Sequence, residues 1–140
     1  MTTHVASRST TELMRGPALV GAAGLGAAAL LRLHDPHDPG SYGFCPFLVI
    51  TGHPCPGCGG LRAVNDLTHG DVVAAISSNL LAVALVAMLA LTWTVWVVRR
   101  IRGVDGPMVV PTNRVLLLLL GVALVFGVLR NTPWGAWLAP

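Results

Sequence analysis

The sequence contains no lysine, and charged side chains make up only 11% of its 140 residues. A soluble domain carries roughly 25%, so an ordinary water-facing surface is excluded. The nine basic residues are all arginines, set against six acids for a net charge of +3. These arginines are scattered along the chain rather than gathered into a patch, which speaks against a nucleic-acid partner. Serine/threonine tracts, long charge runs and internal repeats are also missing. Cysteine is scarce, with three in the whole chain. An odd number excludes a complete intramolecular disulfide framework, whereas a metal site has no such parity requirement.

What is present is apolar: 54% of the residues are hydrophobic and the mean hydropathy is +0.69. Three runs carry this character. Residues 17–33, rich in Gly and Ala, are about 17 long, the lower limit for a spanning helix. Their small side chains would let another helix approach closely. A cleaved signal peptide is the rival reading, since a basic start and small residues at Ala27, Ala28 and Ala29 fit that pattern. Residues 79–98 hold no charge and give the clearest expectation of a membrane span. Trp93 and Trp96 lie near their far end, ahead of Arg99, Arg100 and Arg102, as an aromatic belt and basic anchor would. Residues 115–130 form the third run, lengthened in effect by arginines that can snorkel from either end.

Between the first two runs lies a polar insert, residues 34–78. It opens on His34-Asp35-Pro36-His37-Asp38-Pro39, tandem turn signals that stop a helix. His34, Asp35, His37 and Asp38 could chelate a cation, although the turns explain them more simply. Leu61, Val64 and Leu67, then Val72, Val73 and Ile76, predict short amphipathic helices broken near His69-Gly70. Asp71 is placed to cap the second, which is expected to run on into the span at Asn79.

All three cysteines fall within fourteen residues of that insert, in Cys45-Pro46-Phe47 and Cys55-Pro56-Gly57-Cys58-Gly59-Gly60. Two residues between Cys55 and Cys58 bring both sulfurs to one tetrahedral centre. Glycine after a ligand cysteine permits the positive φ that such a knuckle needs. Cys45 would add a third thiolate and His53 a fourth ligand, giving a Cys₃His set suited to zinc. Two other readings stand beside it. A Cys-x-x-Cys ahead of a helix can lower the pKa of its leading thiol and exchange disulfides. Membrane thiol oxidases generally need a second cysteine pair, however, and this chain has none. The cysteines could also be purely structural, free or joined in one disulfide such as Cys45 to Cys55 or Cys58.

Arg62 adjoins the box and would either bind an anion, pair with Asp66 four residues on, or snorkel to the interface. Ser77, Ser78 and Asn79, at the mouth of the second run, would satisfy helix-end groups or bond across helices.

The arrangement Cys45-Pro46-Phe47, Thr51-Gly52, Cys55-Pro56-Gly57-Cys58-Gly59-Gly60-Leu61-Arg62-Ala63, His69-Gly70-Asp71, Ala75 and Asn79 resembles the bacterial family "domain of unknown function 2752". The ending Arg130-Asn131-Thr132-Pro133 resembles it too. The resemblance implies a small membrane protein built around a Cys-Pro-x-Cys-Gly box and brings no established activity. This chain has Leu61 where many members carry Thr, and Leu80 where many carry Pro.

The expectation is therefore an all-α integral membrane protein forming one membrane domain: a polar tail (1–16), three spans (17–33, 79–98, 115–130), the insert (34–78), a loop (99–114) and an interfacial tail (131–140). Counting arginines gives Arg8, Arg15, Arg99, Arg100, Arg102 and Arg114 on one side and Arg32, Arg62 and Arg130 on the other. The positive-inside bias then puts the amino terminus in the cytoplasm of a bacterial plasma membrane and the cysteine insert outside. The function expected is that of a non-catalytic accessory or scaffold protein. It would pack against lipid and against copies of itself or a larger complex, with zinc as the candidate cofactor. A thiol oxidoreductase or metal-handling protein using Cys55 and Cys58 is the alternative.

Overall fold

A computed structural model of the chain describes residues 10–104 and 112–138. The expectations for Arg8, for most of the 1–16 tail, for the centre of the 99–114 loop and for the last two residues lie outside these. The described residues are all helical, without a strand: α1 (Thr10–Leu33), α2 (Pro46–Thr51), α3 (Gly60–Thr68), α4 (Val72–Ile101), α5 (Asn113–Leu129) and a closing 3₁₀ helix (Pro133–Leu138).

Two of these helices are long and apolar enough to cross a membrane, Thr11–Leu33 within α1 and Val72–Ile101; α5 is apolar but shorter. α1 begins seven residues before the apolar run, with Glu12 in its first turn facing the helix's positive end. Leu13, Met14 and Gly16 are half-buried there, so tertiary contact holds the extra turn. Trp96 lies against Gly16 and Trp93 against Gly21, where a Cβ would come within 2.9 Å of the indole. The Trp93 indole N–H also donates to the Pro17 carbonyl at 3.0 Å.

The start of α1 thus meets the end of α4, and the two run antiparallel. At the other end, Asn65 of α3 donates to the Leu31 carbonyl at 2.7 Å and Arg32 to that of Thr68. α3 packs on α4, with Ala63 and Ala75 both fully buried and Gly60 facing the Ala82 methyl. Small residues at this contact let the two backbones approach.

The junction of α3 and α4 is built as the sequence predicts. Gly70 breaks the chain with φ +79°, and the Asp71 carboxylate accepts the Ala74 N–H at 2.9 Å. α4 then breaks once, at Asn79 (φ −168°, ψ 100°). Leu80 does not prevent this interruption. The Asn79 amide makes it instead, its oxygen accepting the Ala82 N–H at 2.9 Å and so starting the helix afresh.

α5 joins the fold by its carboxyl end. There Arg130 and Asn131 reach the cysteine loop, and a Cβ on Gly127 would meet the Pro56 ring at 2.8 Å. The loop, the far end of α5 and the start of α4 therefore lie at one end of the molecule.

Candidate metal centre

The cysteine loop is a series of tight turns that aim three sulfurs at one another. Cys45 immediately precedes α2, with Pro46 preset for a first helical position. α2 is a single apolar turn and a half ending at Gly52, with Phe47, Val49 and Ile50 exposed. The chain then returns through Pro54 to Cys55. A turn closes with the Cys58 N–H on the Cys55 carbonyl at 3.1 Å, followed by the Gly60 N–H on the Gly57 carbonyl at 2.9 Å. Gly59 has φ +80°, a value that a side chain would strain, and it launches α3.

Cys55 Sγ lies 3.2 Å from Cys58 Sγ and 3.6 Å from Cys45 Sγ, and all three sulfurs lie within 4.8 Å of one another. Tetrahedral ligation with bonds of about 2.3 Å sets sulfurs about 3.8 Å apart, whereas a disulfide needs about 2.05 Å. The three cysteines are free thiols, in a spacing that a metal ion would need to open only slightly.

The expected Cys₃His set is met in its three sulfurs. His53 does not join the cluster. It is exposed, and its backbone N–H is held by Thr51 Oγ1 at 3.2 Å in the turn after α2. Pro54 then separates it from the sulfur-bearing turn, so closeness in sequence does not become closeness in space.

Local electrostatics distinguish the thiols. The Leu48 backbone amide in α2, helped by the Cys58 thiol, draws Cys45 down to about 7. Burial, with Cys55 adding to it, pushes Cys58 up to about 12. Cys45 is thus the more acidic of these two thiols.

Carbonyl groups of the turn are gripped from two helices. Asn79, 1% exposed, donates through Nδ2 to Pro56 O and Cys58 O, each at 2.9 Å. Arg130, 2% exposed, donates through Nη1 to Cys55 O at 2.9 Å and Cys58 O at 3.1 Å. Asn131 Nδ2 donates to Pro54 O at 3.0 Å. Phe126 lies under the guanidinium, 5.2 Å from its ring centre to Cζ. Sequence reading placed Asn79 at the helix mouth but missed the grip of Arg130 and Asn131. The available signal was an arginine ending an apolar run in an Arg-Asn-Thr-Pro sequence.

The other candidates lie apart from the sulfurs. Arg62 is exposed, its Nε donating to Pro36 O at 3.4 Å rather than pairing with Asp66. Asp66 instead accepts Ser78 Oγ at 2.7 Å and faces His37 Nε2 at 3.4 Å. The opposite nitrogen of His37 meets Asp35 at 2.8 Å, and the His37 backbone amide is the main cause of the lowered Asp35 pKa. His34 stacks edge-on with Tyr42.

Comparison with known families finds one similarity: the model for "Protein of unknown function (DUF2752)" matches residues 45–93. Over that segment the chain is similar to this family. The match opens on Cys45 and takes in Cys55, Cys58 and Asn79, so the matched segment contains the sulfur cluster and the α4 half of its clamp. Arg130 and Asn131 come from beyond it. No curated protein and no solved structure matches the chain.

Proposed function

We propose that this chain is a three-span protein of the bacterial plasma membrane whose outer loop is organised by one zinc ion on Cys45, Cys55 and Cys58. In this reading it serves as an accessory component of a larger membrane assembly, without catalysis of its own. One observation carries the metal reading: three sulfurs converge in a turn whose carbonyls are fixed by buried side chains from α4 and α5. Second-sphere bonds of this kind orient metal ligands.

The distribution of polarity supports the membrane. Among the described residues the buried hydrophobic side chains are Leu31, Ala63 and Ala75, while Asn65, Asp66, Asn79 and Arg130 are also buried. Large apolar side chains along α1, α4 and α5 face outward, as a hydrocarbon solvent would favour. Packing of α1 against α4 supports a retained first helix rather than a cleaved signal. Arginine counting supports the cysteine loop outside. The oxidoreductase alternative has less behind it, because three cysteines provide no second pair to pass electrons on.

Extraction of the full chain in mild detergent, followed by elemental analysis, tests the proposal. About one zinc per chain, with a stoichiometric partner, is expected. A metal-free lone monomer in several detergents would refute it. An impermeant thiol reagent applied to metal-stripped vesicles would label right-side-out preparations; labelling confined to inside-out vesicles would reverse the topology.

A further inference from the structure

We infer that the three-thiolate centre takes no fourth ligand from the described residues and leaves that position open to a neutral nitrogen or oxygen donor. This rests on the zinc reading above. Closed structural zinc sites take four protein ligands, whereas sites with three keep a position for water or an incoming group. Among the described residues, no imidazole or carboxylate joins Cys45, Cys55 and Cys58 in the cluster. His53 is exposed and outside it. Three carboxylates of the insert are engaged elsewhere: Asp66 holds Ser78, Asp35 holds His37, and Asp71 caps α4.

The space around the turn is uneven. Its carbonyl side is occupied by Asn79, Arg130 and Asn131. The Gly57 side is exposed: a Cβ on Gly57 would meet Cys55 Sγ at 3.8 Å and nothing closer. An external donor therefore has a path to the sulfurs past Gly57.

Charge selects the donor. Three thiolates and a divalent ion sum to one negative charge. Arg130, buried and bonded to the carbonyls of two of the three ligand residues, supplies one positive charge. The assembly is neutral with water or an imidazole in the fourth position. A fourth thiolate would leave a net negative charge where solvation is poor, which is costly. Nε and Nη2 of Arg130 are buried without a hydrogen-bond partner, so the guanidinium also retains donors for a polar group bound nearby.

X-ray absorption on the zinc-loaded full chain in mild detergent, with cobalt substitution for optical titration, tests this. The expected spectrum has three sulfurs at about 2.3 Å and one light atom, unchanged in His53→Ala. Added imidazole should replace the light atom and shift the cobalt bands saturably. Imidazole scattering present beforehand and lost in His53→Ala would overturn the open position. So would four sulfurs, or bands that ignore imidazole. Failure to load metal would instead overturn the zinc reading itself, a result distinct from a loaded but closed site.

Discussion

Arg130 Nη1 donates to the carbonyl of Cys58 at 3.1 Å, across 72 residues of sequence. The end of α5 is thereby attached to the ligand turn, and Asn79 reaches the same carbonyl from α4 at 2.9 Å. One backbone oxygen thus receives buried donors from two helices. Their removal should affect metal binding and folding differently.

Arg130→Gln removes the charge and shortens the reach to both carbonyls. Zinc affinity should fall about 10- to 100-fold, the usual effect of losing a second-sphere partner, with Arg130→Lys intermediate. Competition with a chromophoric chelator measures it, and far-UV circular dichroism checks that helix content is kept. Unchanged affinity would mean that the guanidinium serves packing alone.

Asn79→Ala strips donors from Pro56 O and Cys58 O and frees the Ala82 N–H. Cys58 O keeps Arg130 as a donor, but leaving Pro56 O and the Ala82 N–H unpaired costs about 1–3 kcal/mol. Thermal unfolding in detergent should move to lower temperature even without metal.

Two glycines on α5 give a paired contrast. A methyl at Gly127 would lie 2.8 Å from the Pro56 ring, which cannot swing aside, whereas Gly121 has nothing within 4 Å. Gly127→Ala should destabilise the docking of α5 by about 1–3 kcal/mol. Gly121→Ala should be neutral or slightly stabilising. Equal unfolding midpoints for the two variants would contradict the α5–loop contact.

In metal-free protein the Cys45 thiol, lowered from 9.0 to about 7, should alkylate well before Cys58 near neutrality. Its rate should rise through pH 7 and level off above, while Cys58, raised to about 12, stays protonated. The sign for stability follows. A pKa depressed on folding contributes stability that is present above pH 9 and lost as pH falls through about 7. Peptide mapping after timed alkylation checks the order, and bound zinc should protect all three thiols.

Local chemistry was legible in the sequence. Asp71 announced its cap, Gly70 its break, and the Cys-Pro-Gly-Cys-Gly spacing the knuckle, because each acts within a few residues. The apolar α2 was not foreseen: Phe-Leu-Val-Ile has no helical periodicity, and only Pro46 and Gly52 mark its ends. His53 misled for a related reason, since proximity in sequence says nothing about a turn in between. The reach of Arg130 and Asn131 left no local trace, because it depends on how α5 returns to the loop.

Native mass spectrometry of the intact chain, released from mild detergent, puts the metal centre to the sharpest test. The wild type should retain the mass of one zinc ion, kept in His53→Ala and lost in both Cys55→Ser and Cys58→Ser. A metal-free wild type, or equal zinc on the serine variants, would contradict a centre built on these three cysteines.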